Sequence, residues 1–260
     1  MSPQPVQPAA GQEDDDDVLS RIAAPQPLAA IDGAVTGADI ALFGQAVVCD
    51  PLGALYLPGS RTLVVSDLHL EMGAAFARRG QMLPPYDTLA TLKLVEAVLA
   101  RYNPRVVISL GDNFHDRRGS ADMPALFREM IRLMAAGREW IWINGNHDPD
   151  GTTDLPGQSV DELLLDGLTF RHEPKAGAAA GEIAGHLHPA ATVRRREKNV
   201  RRPCFATDGS RLIMPAFGVL TGGLDLSASA FHPYFDRKAL IAHLLGRDRI
   251  YSVRYGNLRG

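Results

Sequence analysis

Five short pieces of this chain carry side chains able to hold a metal ion. In order they are Asp67-x-His69, Gly111-Asp112, Gly145-Asn146-His147-Asp148, His172 and Gly185-His186-x-His188. Imidazole with carboxylate is the donor set of Mn, Fe, Zn or Ni rather than of Ca or Mg alone. A lone Asp-x-His or His-x-His would mean little, since such pairs are usually polar loop residues. Five in sequence, each closing an apolar run, are hard to obtain by accident.

The elements that must position these groups can be read from the same stretches. Thr62–Val65, Val106–Leu110 and Glu139–Ile143 are short aliphatic and aromatic runs, the signature of buried parallel strands. Each ends in a candidate group, at the carboxyl edge where open α/β sheets gather their ligands. A helix is expected from Asp87, with Asp87-Thr88 as its N-cap, to about Tyr102, because Leu89, Leu92, Val95, Val98 and Leu99 recur at helical spacing. Strand, helix and strand then make a β-α-β crossover. Ile40 to Leu57 should supply a strand pair or one bent strand followed by a hairpin partner, and 78–81 a polar loop. A second helix is expected over 124–136. Beyond Asp148 short strands are expected, then a last helix near 237–245 and a strand at 250–253.

Composition bounds the rest. At 260 residues, one large domain over 37–260 is expected. Cys49 and Cys204 are too few for a disulfide framework or a thiolate zinc site. No basic leader with an apolar core and no apolar run of about 18 residues is found, so a cytoplasmic setting without a membrane span is expected. The net charge of -3 hides an asymmetry. Residues 1–36, rich in Pro, Ala, Gln and Asp, read as a disordered acidic arm. A basic run of Arg194, Arg195, Arg196, Lys198, Arg201 and Arg202 is broken only by Glu197 among its charged residues. Charge runs are usually solvated loops. Here the run begins a few residues after His188, and arginine forks grip phosphate oxygens without reading sequence.

The order of the five pieces, from about residue 61 to 190, closely resembles the calcineurin-like metallophosphoesterases. The resemblance implies a four-layer α/β/β/α sandwich around a dinuclear metal centre. Carried over residue by residue, Asp67, His69, Asp112 and His188 would hold one ion. Asn146, His172 and His186 would hold the other, with Asp112 bridging. Two such ions, about 3.5–4 Å apart, would clamp a phosphoryl group and share a hydroxide as nucleophile. Asn146 would ligate without adding negative charge beside an anionic substrate. His147 would meet the transition-state oxygens or protonate the leaving oxygen. Asp148 reads equally as an orienting group beside the site or as a turn-stabilising residue before Pro149.

Many family members have an acidic residue three places after the bridging aspartate, and here the position is His115. That form resembles the double-strand-break repair nuclease branch and puts His115 beside a phosphodiester; the bland reading is a loop closed against Asp116. Gly185-His-Leu-His-Pro-Ala, Arg202-Pro-Cys-Phe, Pro215-Ala-Phe-Gly, Phe76-Ala-Arg-Arg-Gly and Pro84-Pro-Tyr-Asp resemble the bacterial ligase-associated DNA damage response endonucleases (PdeM-like). This implies a two-metal phosphodiesterase acting on DNA, an endonuclease of DNA repair. Mn is the expected metal, with Fe, Ni or Zn open. An ATP-dependent DNA ligase, a helicase and an exonuclease are the implied functional partners. Whether DNA is single-stranded or duplex stays open. Arg78 and Arg79 are further candidates for the substrate cleft, while Tyr86 and Phe114 read as core rather than base-stacking residues. The rival readings are hydrolysis of a small diester, nucleotide or phosphomonoester, and a metal-free scaffold.

Overall fold

The structure is a computed structural model that describes residues 36–81, 86–195 and 198–258. The acidic arm, apart from Thr36, the Pro84-Pro85 pair and Arg196 lie outside the described residues, as do the side chains of Arg195 and Lys198.

The first sheet has seven strands in chain order. β1 (Ala38–Leu42), β2 (Gln45–Cys49) and β3 (Leu55–Leu57) form an antiparallel meander that joins β4 (Thr62–Val65). From β4 the pairing turns parallel through β5 (Val106–Leu110), β6 (Glu139–Ile143) and β7 (Gln158–Val160). The three aliphatic runs are therefore the adjacent central strands that were expected. Alternation divides their side chains. Leu63, Val65, Val107, Trp140 and Trp142 pack against helices, whereas Val64, Ile108, Leu110, Ile141 and Ile143 face the second sheet. A sheet covered on both faces needs apolar residues at every position, and these strands have them.

Helix α1 (Met72–Arg78), α2 (Asp87–Tyr102), the single turn α3 (Gly119–Asp122) and α4 (Ala125–Ala135) follow. Leu92, Val95, Val98 and Leu99 of α2 and Ile131 and Met134 of α4 cover the helix face of the sheet. The polar loop holds over 79–81, one helix was not expected, and one capping expectation fails. The stretch after His69 is a helix up to Arg78, because Met72, Ala75 and Phe76 make one buried face that its polar end conceals. Asp87 and Thr88 do not cap their own helix. Gly73 N–H donates to Asp87 Oδ2 at 3.1 Å and Glu71 N–H to Thr88 Oγ1 at 2.8 Å, so both cap the neighbouring α1.

The second sheet runs β14-β11-β12-β13-β10-β9-β8. Its strands are β8 (Glu162–Leu165), β9 (Leu168–Arg171), β10 (Glu182–Ala184), β11 (Pro189–Arg195), β12 (Lys198–Thr207), β13 (Arg211–Ile213) and β14 (Leu224–Asp225), with β15 (Ile241–Leu245) and β16 (Ile250–Arg254) added on β12. Leu168, Phe170, Ile183, Phe205 and Leu212 meet the first sheet across one core. The sandwich layering is as expected, with a thin outer layer. Residues 226–240, including a 3-10 turn at Ser229–Phe231, cover the far face with Leu226, Phe231, Phe235 and Leu240. The expected helix near 237–245 is instead strand β15. Leu240, Ala242 and Leu244 alternate into the outer core, and β12 and β16 both offer it a ladder. Tyr86 is exposed and Phe114 fully buried, so the core reading holds only for Phe114.

Candidate metal centre

The loops after β4, β5 and β6 lie side by side. Asp67 N–H donates to the Gly111 carbonyl, His69 N–H to Asp112 and Leu70 N–H to Asn113, at 3.2, 2.9 and 2.9 Å. Five candidate ligands have left-handed backbone: Asp67, His69, Asp112, His186 and His188, with φ of 52°, 44°, 45°, 68° and 43°. Each such residue costs roughly 1–2 kcal/mol, and such strain persists only where the surroundings impose it. The loop-to-loop bonds impose it here, turning side chains that would follow the pleat toward one point. Two glycines allow the approach. A Cβ on Gly111 would stand 2.4 Å from the His172 ring, and one on Gly145 would stand 2.1 Å from the Asp112 amide nitrogen.

The structure brings all seven predicted ligands together. Ligand atoms of Asp67, His69 and His188 lie within 4.8 Å of one another, as do those of Asp112, His172 and His186. Asp112 stands between the sets, with Oδ1 3.4 Å from His172 Nε2 and Oδ2 3.8 Å from His69 Nε2. Asn146 Oδ1 is 2.9 Å from His172 Nε2, and His186 Nδ1 is 3.3 Å from it. His172 Nδ1 donates to the Leu110 carbonyl at 3.1 Å, which fixes the tautomer and leaves Nε2 facing inward. One inward nitrogen thus confronts two oxygens and a second nitrogen, more acceptors than a single proton can serve.

The electrostatics agree with a cation-binding role. Asp67 and Asp112 are buried, which alone would raise their carboxyls, yet the imidazoles of His188, His172 and His69 around the first, and of His172 and His147 around the second, hold both low. No Lys or Arg pairs with either carboxylate among the described residues. Burial pushes His172 down, but Asp112 and Asp67 override it and raise the ring to about 9. That one proton offsets only part of the charge of the two buried carboxylates. The donor set and its unmet charge therefore fit divalent ions.

His147 is at the rim. Its amide donates to Asp112 Oδ1 at 2.9 Å and its Nδ1 to the His115 carbonyl at 2.9 Å, leaving Nε2 3.9 Å from Asp112 Oδ2. The His115 ring stacks on Phe76 and lies 5.4 Å from the His147 ring, while Asp116 is bound by Arg78 at 2.5 Å. His115 therefore faces the centre. Burial first, then His147 and Arg79, lowers it to about 4.

Asp148 is a brace. Its Oδ2 accepts from Asn113 N–H, Asn113 Nδ2 and Phe114 N–H, and its Oδ1 from Gly145 N–H, at 2.8–3.3 Å. It ties the loop bearing Asp112 to the loop bearing Asn146, and burial raises it to about 6. The sequence reading missed Asn113, which also donates to the Ile143 carbonyl, and Ser66, whose hydroxyl bonds Asp67 Oδ2. Their only sequence signal is adjacency to a ligand.

Among the described residues the basic run is strand rather than loop. β11 and β12 pair antiparallel with Thr192 opposite Arg201 and Arg194 opposite Asn199. Arg194 and Arg201 thus share the face that continues to Phe205 of the inter-sheet core, whereas Arg202 shares the opposite face with Cys204 of the outer core. Arg201 also donates to the Gly223 carbonyl. Arg78 is committed to Asp116, while Arg79 is exposed close to His115.

Comparisons with known proteins agree. The family model described as calcineurin-like phosphoesterase matches residues 60–196. The chain is similar to the crystal structure of the Pseudomonas putida nuclease MPE, at 29% identity and a TM-score of 0.65, over 84% of this chain and 100% of that one. It is also similar, at 18% identity and a TM-score of 0.39, over 75% of this chain and 98% of the other, to Yfce, a phosphoesterase from E. coli. No curated protein matches. With more than half its length matched by that family model and its fold shared with a nuclease, the chain belongs to the calcineurin-like phosphoesterases and is a metal-dependent phosphoester hydrolase.

Proposed function

We propose that this protein is a two-metal phosphodiesterase acting on DNA, an endonuclease of bacterial DNA repair that works in the cytoplasm with Mn. The observation that carries the reading is the position of Asp112 between two ligand groups, with His147 and His115 on one side of it. Asp67, His69, Asp112 and His188 would hold one ion, and Asn146, His172 and His186 with Asp112 the other. When bound, the pair supplies an activated water and charge neutralisation at phosphorus. The His115 carbonyl holds His147 Nδ1, so its Nε2 faces the reacting phosphate and, when protonated, delivers the proton to the leaving oxygen. The neutral His115 ring walls that side and orients the same oxygen. Arg79, Arg194 and Arg201 would hold flanking phosphates. The similarity to a nuclease over that protein's whole length supports a nucleic-acid substrate.

The test is cleavage of closed circular single-stranded and supercoiled duplex DNA by the Mn-loaded protein, with a chelator control and His147→Ala. Cutting that both controls abolish is the expected result. Intact circles alongside hydrolysis of a small chromogenic diester would refute DNA as substrate and keep the chemistry.

A further inference from the structure

A polar cleft of about 320 Å³ opens directly beside Asn146 and His172, on the side of the centre away from β11. It sits where the chain crosses between sheets, since Asp161 joins β7 to β8 and Glu162 pairs with Arg171 across β8 and β9. Its walls carry three carboxylates, Asp161, Glu162 and Glu173, against the cations Arg171 and Lys175. The cations are already engaged. Arg171 Nη2 is 2.8 Å and Lys175 Nζ 3.6 Å from Glu162 Oε2, and Arg171 Nη1 is 3.5 Å from Glu182. Asp161 is held by Asn144, whose Nδ2 donates to Oδ1 at 2.8 Å. Pro149 adds an apolar surface.

A second phosphate would meet three carboxylates here whose neighbouring cations, Arg171 and Lys175, are already paired, so the cleft is ill suited to continue the backbone track. Its acceptors suit an uncharged ring bearing an amine, and carboxylates accept from cytosine N4 just as acceptors in general take the amine at adenine N6. We propose that this cleft is a nucleobase subsite: it receives the base of a nucleotide flanking the scissile phosphate and favours adenine, cytosine or guanine, which carry an exocyclic amine on the pairing edge, over thymine, which has none. The base entering it must be unpaired, because a stacked base cannot reach a pocket beside the metals. The subsite rests on the DNA reading above and deepens it.

The experiment uses single-stranded oligonucleotides that differ only in one nucleotide flanking a mapped cut: adenine, cytosine, guanine, thymine or an abasic residue. Mn-loaded wild type, Asp161→Asn and Asp161→Asn/Glu162→Gln are compared, with bis(p-nitrophenyl) phosphate as a base-free reference. Asp161 and Glu162 are both exposed, and the amide introduced by Asp161→Asn keeps a carbonyl oxygen to accept from Asn144 Nδ2. Wild type should cut beside adenine, cytosine or guanine roughly fivefold faster than beside thymine or an abasic residue, the worth of about one hydrogen bond. The substitutions should level that preference and leave the chromogenic reaction unchanged. Equal rates on all oligonucleotides, or a preference that survives both substitutions, overturns the subsite while DNA cleavage stands. Hydrolysis of the chromogenic diester with no oligonucleotide cut overturns the DNA reading and the subsite together.

Discussion

Single residues here do work that their neighbours make possible. Asp148 never touches the inward-facing nitrogens, yet its two oxygens satisfy four N–H groups on two loops. Asp148→Asn would turn an amide donor against those donors, and we expect a loss of about 2–3 kcal/mol in urea unfolding with a parallel fall in hydrolysis. An unchanged midpoint would show that the loops hold without the brace. His243 offers a test far from the centre. Its ring is buried, bonds Ser252 Oγ at 2.8 Å, and is lowered by burial from 6.5 to about 4. Between those values the unfolded chain binds a proton that the folded chain refuses. Stability should therefore fall as pH falls through that window, by at most about 3 kcal/mol. In His243→Gln the slope should flatten. Urea midpoints across pH 4–7 check it.

At the scale of elements, the strand alternation of the β11–β12 pair separates arginines that the sequence shows as one run. Counterion release makes the salt dependence of DNA binding a count of phosphate contacts. Arg194→Ala or Arg201→Ala should each reduce the log–log salt slope by about 0.7–0.9, and Arg202→Ala should leave it unchanged. Equal effects of all three would mean the run acts as diffuse charge. Helix α1 gives a second test. Asp87→Ala removes the acceptor for Gly73 N–H and should cost about 1 kcal/mol. Because α1 also presents Phe76 to His115, DNA cleavage should fall with it, and cleavage at wild-type rate would separate α1 from the chemistry.

At the scale of the molecule, the centre is the seam between two sheets, fed by loops from both. Chelation should abolish hydrolysis and lower the melting temperature, and Mn at a hundredfold excess over Kd should restore about 2.7 kcal/mol. A melting temperature indifferent to both would mean that the donors do not bind ions. Much of this was legible in the chain. The central strands, the β-α-β crossover and the five pieces that bear candidate ligands follow from local patterns, because a strand buried on both faces must be apolar throughout and a ligand must stand where such a run stops. The choice of seven ligands among them rests on the family resemblance. Tertiary structure alone decided the rest. Whether Leu240 to Leu245 became helix or strand depended on the two edges waiting beside it. Whether Asp87 and Thr88 capped their own helix or its neighbour depended on which orphan N–H groups lay nearer. Which arginines share a strand face depended on register, and the polar cleft exists only because β7 and β8 turn from one sheet to the other beside Asn146 and His172. Local pattern is written in neighbouring residues. These outcomes were settled by competition among partners far away in sequence.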